Sequence, residues 1–143
     1  MARAEDRAAV LELLNRLVER TGGTIDARAG EAFAVLLQGD RGEVLVAEEG
    51  GQLLGLASVS WNVAMRYGGE YCQLEELVVD PAARGQNLGG RLVEATIARA
   101  RGRGCAEYGL YLVESTEGNR PFYEKYGFKA VGTEMRQELA DPS

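Results

Sequence analysis

The chain has no histidine. That absence removes the usual general base of serine and cysteine hydrolases and the commonest metal ligand, so acid-base work falls to Glu, Asp, Tyr, Lys or water. Cysteine is scarce: Cys72 and Cys105 are too few for a disulfide scaffold and have no further thiol at metal spacing. No metal site is expected, and a reducing cytoplasm is the expected compartment. No apolar run approaches the roughly 20 residues of a membrane span. The start, Met1-Ala2-Arg3-Ala4-Glu5-Asp6, enters a charged helical pattern rather than a secretory apolar core. Membrane association is therefore not expected. Cations are outnumbered, 16 Lys and Arg against 22 Asp and Glu, for a net charge of −6. This balance argues against nucleic acid, whose binding draws on clustered Lys and Arg, and suits a cationic partner.

What is present reads as one ordinary globular domain over residues 1–143, with 140–143 a short tail. From Glu5 to about Glu19, Val10, Leu13, Leu14, Leu17 and Val18 recur at spacings of three and four, which predicts an amphipathic helix ending near Gly22-Gly23. A second helical pattern runs from Ala29 to Leu37. Val44 to Ala47 and Leu53 to Trp61 are β-prone runs joined across Gly50-Gly51, whose permissive backbone predicts a hairpin. Tyr71 to Val79 reads as a third strand closed by Asp80-Pro81, and Leu88 to Arg101 as a helix. Glu107 to Val113 is expected as the next strand and Asn119 to Tyr126 as a short helix. Phe128 to Val131 and Thr133 to Leu139 are expected as a closing strand pair. The mixed order indicates an α/β fold.

The third strand and the following helix are joined by Asp80-Pro81-Ala82-Ala83-Arg84-Gly85-Gln86-Asn87-Leu88-Gly89. A glycine-rich loop entering a helix presents unpaired N–H groups at the positive end of the helix dipole, and Arg84 adds a formal charge, so a phosphate suits it; a tight structural turn is the competing reading. No Lys-Ser or Lys-Thr pair follows, which excludes a nucleotide-triphosphate P-loop, and the glycine spacing does not fit the dinucleotide fingerprint.

This loop resembles the signature of the Gcn5-related N-acetyltransferase (GNAT) family: Arg or Gln, two residues, Gly, one residue, then Gly or Ala. Arg84 and Gly89 match its ends, and Asn87 stands where the family has its central glycine, a departure that asparagine's tolerance of left-handed backbone can accommodate. About thirty residues on, Phe122-Tyr123-Glu124-Lys125-Tyr126-Gly127-Phe128 matches a second hallmark, an aromatic pair on a helix before a Gly-Phe strand entry. The resemblance runs from about Val44 to Leu139, and more loosely over the N-terminal helix. Only three residues precede Ala4, so the family's first strand is expected to be very short or missing. Glu-Leu-Val-Val before the loop and Gln-Asn-Leu-Gly within it look most like the aminoalkylphosphonate N-acetyltransferase branch.

The resemblance implies a mixed, mostly antiparallel central sheet flanked by helices, with splayed central strands that admit the pantetheine arm of acetyl-coenzyme A. It implies acetyl transfer from acetyl-CoA to a small-molecule primary amine by direct attack in a ternary complex. Protein or N-terminal acetylation is an alternative, as is a non-catalytic acyl-CoA sensor, and similar proteins are often homodimers. Leu77, Val78 and Val79 become backbone partners of pantetheine. Arg84, Gly85, Gln86, Asn87, Leu88 and Gly89 become the pyrophosphate cradle. A backbone N–H from Val78 or a neighbour becomes the oxyanion donor, and Tyr123 the acid for the departing thiolate. Asn119 and Thr116 occupy the run where relatives place an asparagine on the cofactor arm, with helix capping the competing reading for Asn119.

An alkylammonium must lose a proton before it attacks, and strand carboxylates are the available bases. Glu75 and Glu76 are adjacent, so only one enters a cleft unless a bulge intervenes; Glu76 is favoured by its place before Leu-Val-Val. Glu114 is a third candidate, against the reading of an exposed loop acid. Trp61, Met65, Tyr67 and Tyr71 are candidates to wall the acceptor pocket, or else a hydrophobic strand-edge cluster.

Overall fold

A computed structural model describes residues 1–20, 23–83 and 85–140. The chain divides into two compact units, Met1–Leu110 and Tyr111–Ser143. The first holds helices α1 (Arg7–Arg20), α2 (Ala29–Leu37) and α3 (Leu88–Arg103), and strands β1 (Gly42–Glu49), β2 (Gln52–Ala64), β3 (Gly69–Val79) and β4 (Tyr108–Gly109). The second holds a 3-10 turn (Glu114–Asn119) and the short helix α4 (Arg120–Glu124). None of the described helices is long and apolar enough to cross a membrane.

The sheet runs β1-β2-β3-β4, antiparallel except for the last pair. Gly50 and Gly51, at φ 58° and 80°, form the two-residue turn between β1 and β2; two positive φ angles in succession match the twist of the flanking strands. Strand alternation sorts the core into two layers. On one face, Val10 and Leu13 of α1 and Phe33 of α2 pack with Ala2, Val44, Leu56 and Val78. The opposite face carries α3, whose Arg99 grips the Glu43 carboxylate through two bonds of 2.8 and 2.7 Å. Arg103 of the same helix binds Glu70 and lies 5.0 Å from the centre of the buried Trp61 ring. Cys72 is buried in β3, and desolvation pushes its thiol up to about 12, which marks a packing rather than a reactive cysteine. No group of His, Cys, Asp or Glu among the described residues could hold a metal ion.

The first three helices and first three strands agree with the periodicity to within a few residues. Among the described residues no strand precedes β1, and a backbone bond, Ala2 N–H to Val44 O at 2.8 Å, joins the N-terminal segment to the sheet.

Of three further expected strands, one is shortened and two are not formed. The run Glu107 to Val113 is a strand only at Tyr108–Gly109, paired with Cys72 and Gln73. That ladder stops just short of Glu75, where β3 departs from regular pairing, and a bulged strand bends away from its neighbour. The pair Phe128 to Val131 and Thr133 to Leu139 is not formed, since no strand is assigned among described residues 110–140. Val131, Met135 and Leu139 are 85%, 92% and 85% exposed, so alternation there has neither a ladder partner nor a burial surface to fix it.

Candidate active site

The register between β2 and β3 shifts by one residue: Ser58 pairs with Glu76 and Val59 with Leu74, leaving Glu75 unpaired in a bulge. The consequence is a change of face. Leu74 and Cys72 belong with Val59 and Trp61, whereas Glu76 and Val78 belong with Ser58 and Leu56 on the α1–α2 face. Both glutamates turn to that face, because Ser58 and Ser60, two residues apart on β2, hydrogen-bond Glu76 and Glu75 respectively. The Ser58 hydroxyl donates to a Glu76 carboxylate oxygen, and Ser60 Oγ donates to Glu75 Oε2 at 2.6 Å. Asn62 Nδ2 donates in turn to Ser60 Oγ at 2.9 Å.

The two carboxylates differ in environment. Glu75 is exposed, whereas Glu76 is half-buried. Burial raises the Glu76 carboxyl above its ordinary range; the Ser58 hydrogen bond opposes that rise and the neighbouring Glu75 charge adds to it. A carboxylate raised in this way is a better proton acceptor near neutral pH than a solvated one.

Beyond the bulge, β3 is laddered on one side only. Asp80 N–H bonds Leu54 O at 2.7 Å, which fixes the antiparallel alternation: Val78 directs its backbone groups to Leu56, and Leu77 and Val79 direct theirs to the edge that β4 leaves uncovered. Of the N–H groups expected as oxyanion donor, that of Val78 faces β2, and those of Leu77 and Val79 face the other edge. The Val78 side chain is in the core, and its N–H is committed to the ladder.

The loop after β3 is pinned at its start. Asp80 accepts the Ala82 N–H at 2.9 Å and Arg16 Nη1 of α1 at 2.9 Å, and these partners hold its carboxyl below the ordinary range. Arg84 lies outside the described residues. Gly85 has φ 89°, and Asn87 adopts φ 53°, ψ 36°, the one non-glycine residue with positive φ among those described. Asn87 caps α3 without a side-chain hydrogen bond, so the first N–H groups of the helix, at Leu88 and Gly89, have no capping partner. The Leu88 side chain packs in the core with Leu54 and Ala83. Gln86 is exposed and borders an open groove of about 560 Å³ between α3 and β1, which Glu48 and Glu49 of β1 line and Glu75 and Glu76 do not.

Within the C-terminal unit, Tyr123 stands on α4 with its ring edge-on to Phe122 at 5.0 Å and Phe128 at 6.0 Å. Its backbone carbonyl accepts N–H groups of Tyr126 and Phe128, which close the helix end. Burial raises the phenol above its ordinary value, so it holds its proton throughout the neutral range. Asn119 occupies the N-cap of α4, yet its side chain makes no capping bond. Thr116 Oγ1 donates to Val113 O at 3.1 Å, and Glu114 is exposed.

The aromatic candidates separate. Trp61 is core, and Met65 is 99% exposed. Tyr67 and Tyr71 remain together, ring centres 5.3 Å apart, with the Arg66 guanidinium over both at 4.6 and 5.2 Å. A hydrogen bond to Glu107, then burial, raises the Tyr67 phenol. Sequence reasoning missed Ser58, Ser60 and Asn62. Their signal was the strict alternation Ser58-Val59-Ser60-Trp61-Asn62, which lines one strand face with hydroxyl and amide groups.

A mixed sheet with a bulged central strand, a half-bare edge and a glycine loop opening a helix defines an α/β acyltransferase architecture, and the comparisons agree. The model of the acetyltransferase (GNAT) family matches residues 8–128, and the chain belongs to that family. It is similar to glucosamine 6-phosphate N-acetyltransferase of Trypanosoma brucei brucei, at 32% identity over 94% of this chain and 90% of the relative. Its fold is similar to the crystal structure of glucosamine-6-phosphate N-acetyltransferase from Arabidopsis thaliana, with TM-score 0.78, 25% identity and coverage of 97% and 95%. It is also similar to that of a transcriptional regulator from Bacillus halodurans C-125, with TM-score 0.84, 26% identity and coverage of 96% of each chain. The protein is an acyl-CoA-dependent N-acyltransferase.

Proposed function

We propose that this enzyme transfers the acetyl group of acetyl-CoA to a small primary amine by direct attack in a ternary complex. The observation that carries the reading is the bare edge of β3 at Leu77 and Val79, directly after the carboxylate at Glu76. The residues suit the cofactor. The outward backbone groups of Leu77 and Val79 can pair with the amides of pantetheine. The left-handed turns at Gly85 and Asn87 and the uncapped start of α3 offer N–H donors to pyrophosphate, beside the charge of Arg84. Acetyl-CoA supplies an acyl group already activated as a thioester.

The chain's own groups supply the rest. Glu76 takes the proton of the attacking amine, and Glu75 keeps a negative charge beside it that favours a cationic acceptor. An outward N–H of Leu77 or Val79 is the donor toward the reacting carbonyl oxygen. Tyr123 holds a proton on its phenol oxygen for the leaving sulfur, since a thiolate whose conjugate acid lies at about 8.5 takes up a proton at neutral pH. Both compact units are read as one transferase domain, because the family match crosses the boundary between them. The names of the relatives support an amino sugar phosphate as the first acceptor to test, with aminoalkylphosphonates, polyamines, aminoglycosides and short peptides beside it.

The experiment is paired. Coenzyme A at one hundred times its dissociation constant should stabilise the fold by about 2.7 kcal/mol, with NAD and ATP far less effective. Thiol release from acetyl-CoA should then rise with one acceptor class. Stabilisation by NAD or ATP but not by coenzyme A would reject the cofactor assignment, and release confined to peptides would move the acceptor to protein.

A further inference from the structure

Ser58 is a hydroxyl in the middle of a hydrophobic layer, 2% exposed, with Leu56 two residues before it on the same face. A buried hydroxyl costs free energy unless it is hydrogen-bonded, and an alanine or valine would fill that position with no such demand. Its partner is the Glu76 carboxylate across the ladder. The neighbouring pair is arranged differently: Glu75 is exposed and its donor, Ser60, is itself held by Asn62. Water can therefore solvate Glu75, while Glu76 has one hydroxyl as its protein donor.

We propose that Ser58 is a positioning residue for acetyl transfer: its hydroxyl, together with the bulge at Glu75, fixes the orientation in which the Glu76 carboxylate accepts the amine's proton. The inference rests on the reading of Glu76 as the base. The proton passes from the amine nitrogen to a Glu76 oxygen, and the serine keeps its own throughout, donating to the other lone pairs of the carboxylate. The hydrogen bond favours the ionised carboxylate, against the burial that disfavours it. Among the described residues, Glu75 is the charge that bears on the group. On α1, which packs on β2 and β3, Arg16 is tied to Asp80 and Glu12, and Glu19 accepts a bond from Asn15. On α3, against the opposite face, Arg99 is bound to Glu43 and Arg103 to Glu70.

The test follows the protonation of Glu76 directly. The side-chain carboxyl of Glu76 is titrated by carbon-13 NMR in the wild type, Ser58→Ala and Ser58→Thr, the signal assigned by its loss in Glu76→Gln. The acid limb of kcat/KM is measured beside it with two acceptors of different amine pKa. Loss of a hydrogen bond to a charged group should move the Ser58→Ala midpoint and limb upward by about one pH unit. Turnover would then fall at pH 7 and recover at higher pH, and threonine would restore the wild-type midpoint. An unmoved midpoint in Ser58→Ala, or a uniform loss of kcat at every pH, would overturn the proposal. Should Ser58→Ala not fold, Ser58→Cys, a weaker donor of similar size, must show a smaller shift of the same sign, and no shift would overturn it. Wild-type rates in Glu76→Gln would reject the base itself, a result separable from the NMR midpoint, which reads the Ser58 hydrogen bond to the carboxyl whichever group is the base.

Discussion

Glu76 and Tyr123 are held in contrasting ways. Glu76 sits on an eleven-residue strand that ladders to β2 and packs with α1, with a cross-strand hydroxyl on its carboxylate. Tyr123 stands on a five-residue helix, where its ring meets Phe122 and Phe128 and its carbonyl accepts the backbone bonds that close the turn. Burial raises the pKa of both groups, yet the outcome is opposite in use. A raised carboxyl becomes a better proton acceptor near neutrality, and a raised phenol a more secure proton reservoir. The long-range ladder fixes the environment of the first, so its tuning is coupled to the stability of the sheet.

The sharpest way to break that comparison is Glu76→Gln. Loss of a positioned base should lower kcat/KM by roughly 10² to 10⁴-fold while leaving coenzyme A affinity unchanged. The same change should raise the melting temperature. Because the native carboxyl is raised above its unfolded value, ionising it in the folded state is unfavourable, and this group's contribution to stability is lost as pH rises through the native value. Glutamine removes that loss. The gain should be absent at pH values below the ordinary carboxylate range and fully present above the native midpoint, as calorimetry across pH would show.

Tyr123→Phe comes next and should behave differently. The ring packing survives, so melting temperature and coenzyme A binding should stay near wild type, while single-turnover rates fall by roughly 10²-fold. A wild-type single-turnover rate from pH 6 to 10 would remove Tyr123 as the acid and leave solvent to protonate the sulfur.

The smallest effect belongs to the loop. Asn87 holds a left-handed conformation that alanine adopts at a cost of roughly 1–2 kcal/mol, whereas glycine adopts it freely. Asn87→Ala should therefore weaken coenzyme A binding several-fold, and Asn87→Gly should bind at least as well as wild type, both read by calorimetry. Equal weakening by both would assign the role to the asparagine side chain rather than to backbone shape.

Much of this was legible in the chain. Three-and-four spacing gave α1 and α2, Gly50-Gly51 marked the hairpin, and the two motifs placed the loop and Tyr123 in order. The bulge was harder to read: the buried residues Cys72, Leu74 and Val78 keep the same two-residue phase along the chain, and the charged pair Glu75-Glu76 interrupts them without shifting it. A single extra residue leaves composition and propensity unchanged, so only the paired strand reveals where the ladder slips. The closing strands illustrate the converse. Val131, Thr133, Met135, Gln137 and Leu139 alternate as a strand should, yet β propensity describes fit to a neighbouring surface, and these residues are exposed.

The central claim is that Glu76, seated by Ser58 on a bulged strand, is the group that removes the amine's proton. It is tested most directly by kcat/KM against pH for wild type and Glu76→Gln with an acceptor whose own amine titrates well away from neutrality. The account predicts an acid limb in the wild type that coincides with the carboxyl midpoint read by NMR and is absent from the variant, whose residual rate is at least about a hundredfold lower. An identical limb and an undiminished rate in Glu76→Gln would contradict it.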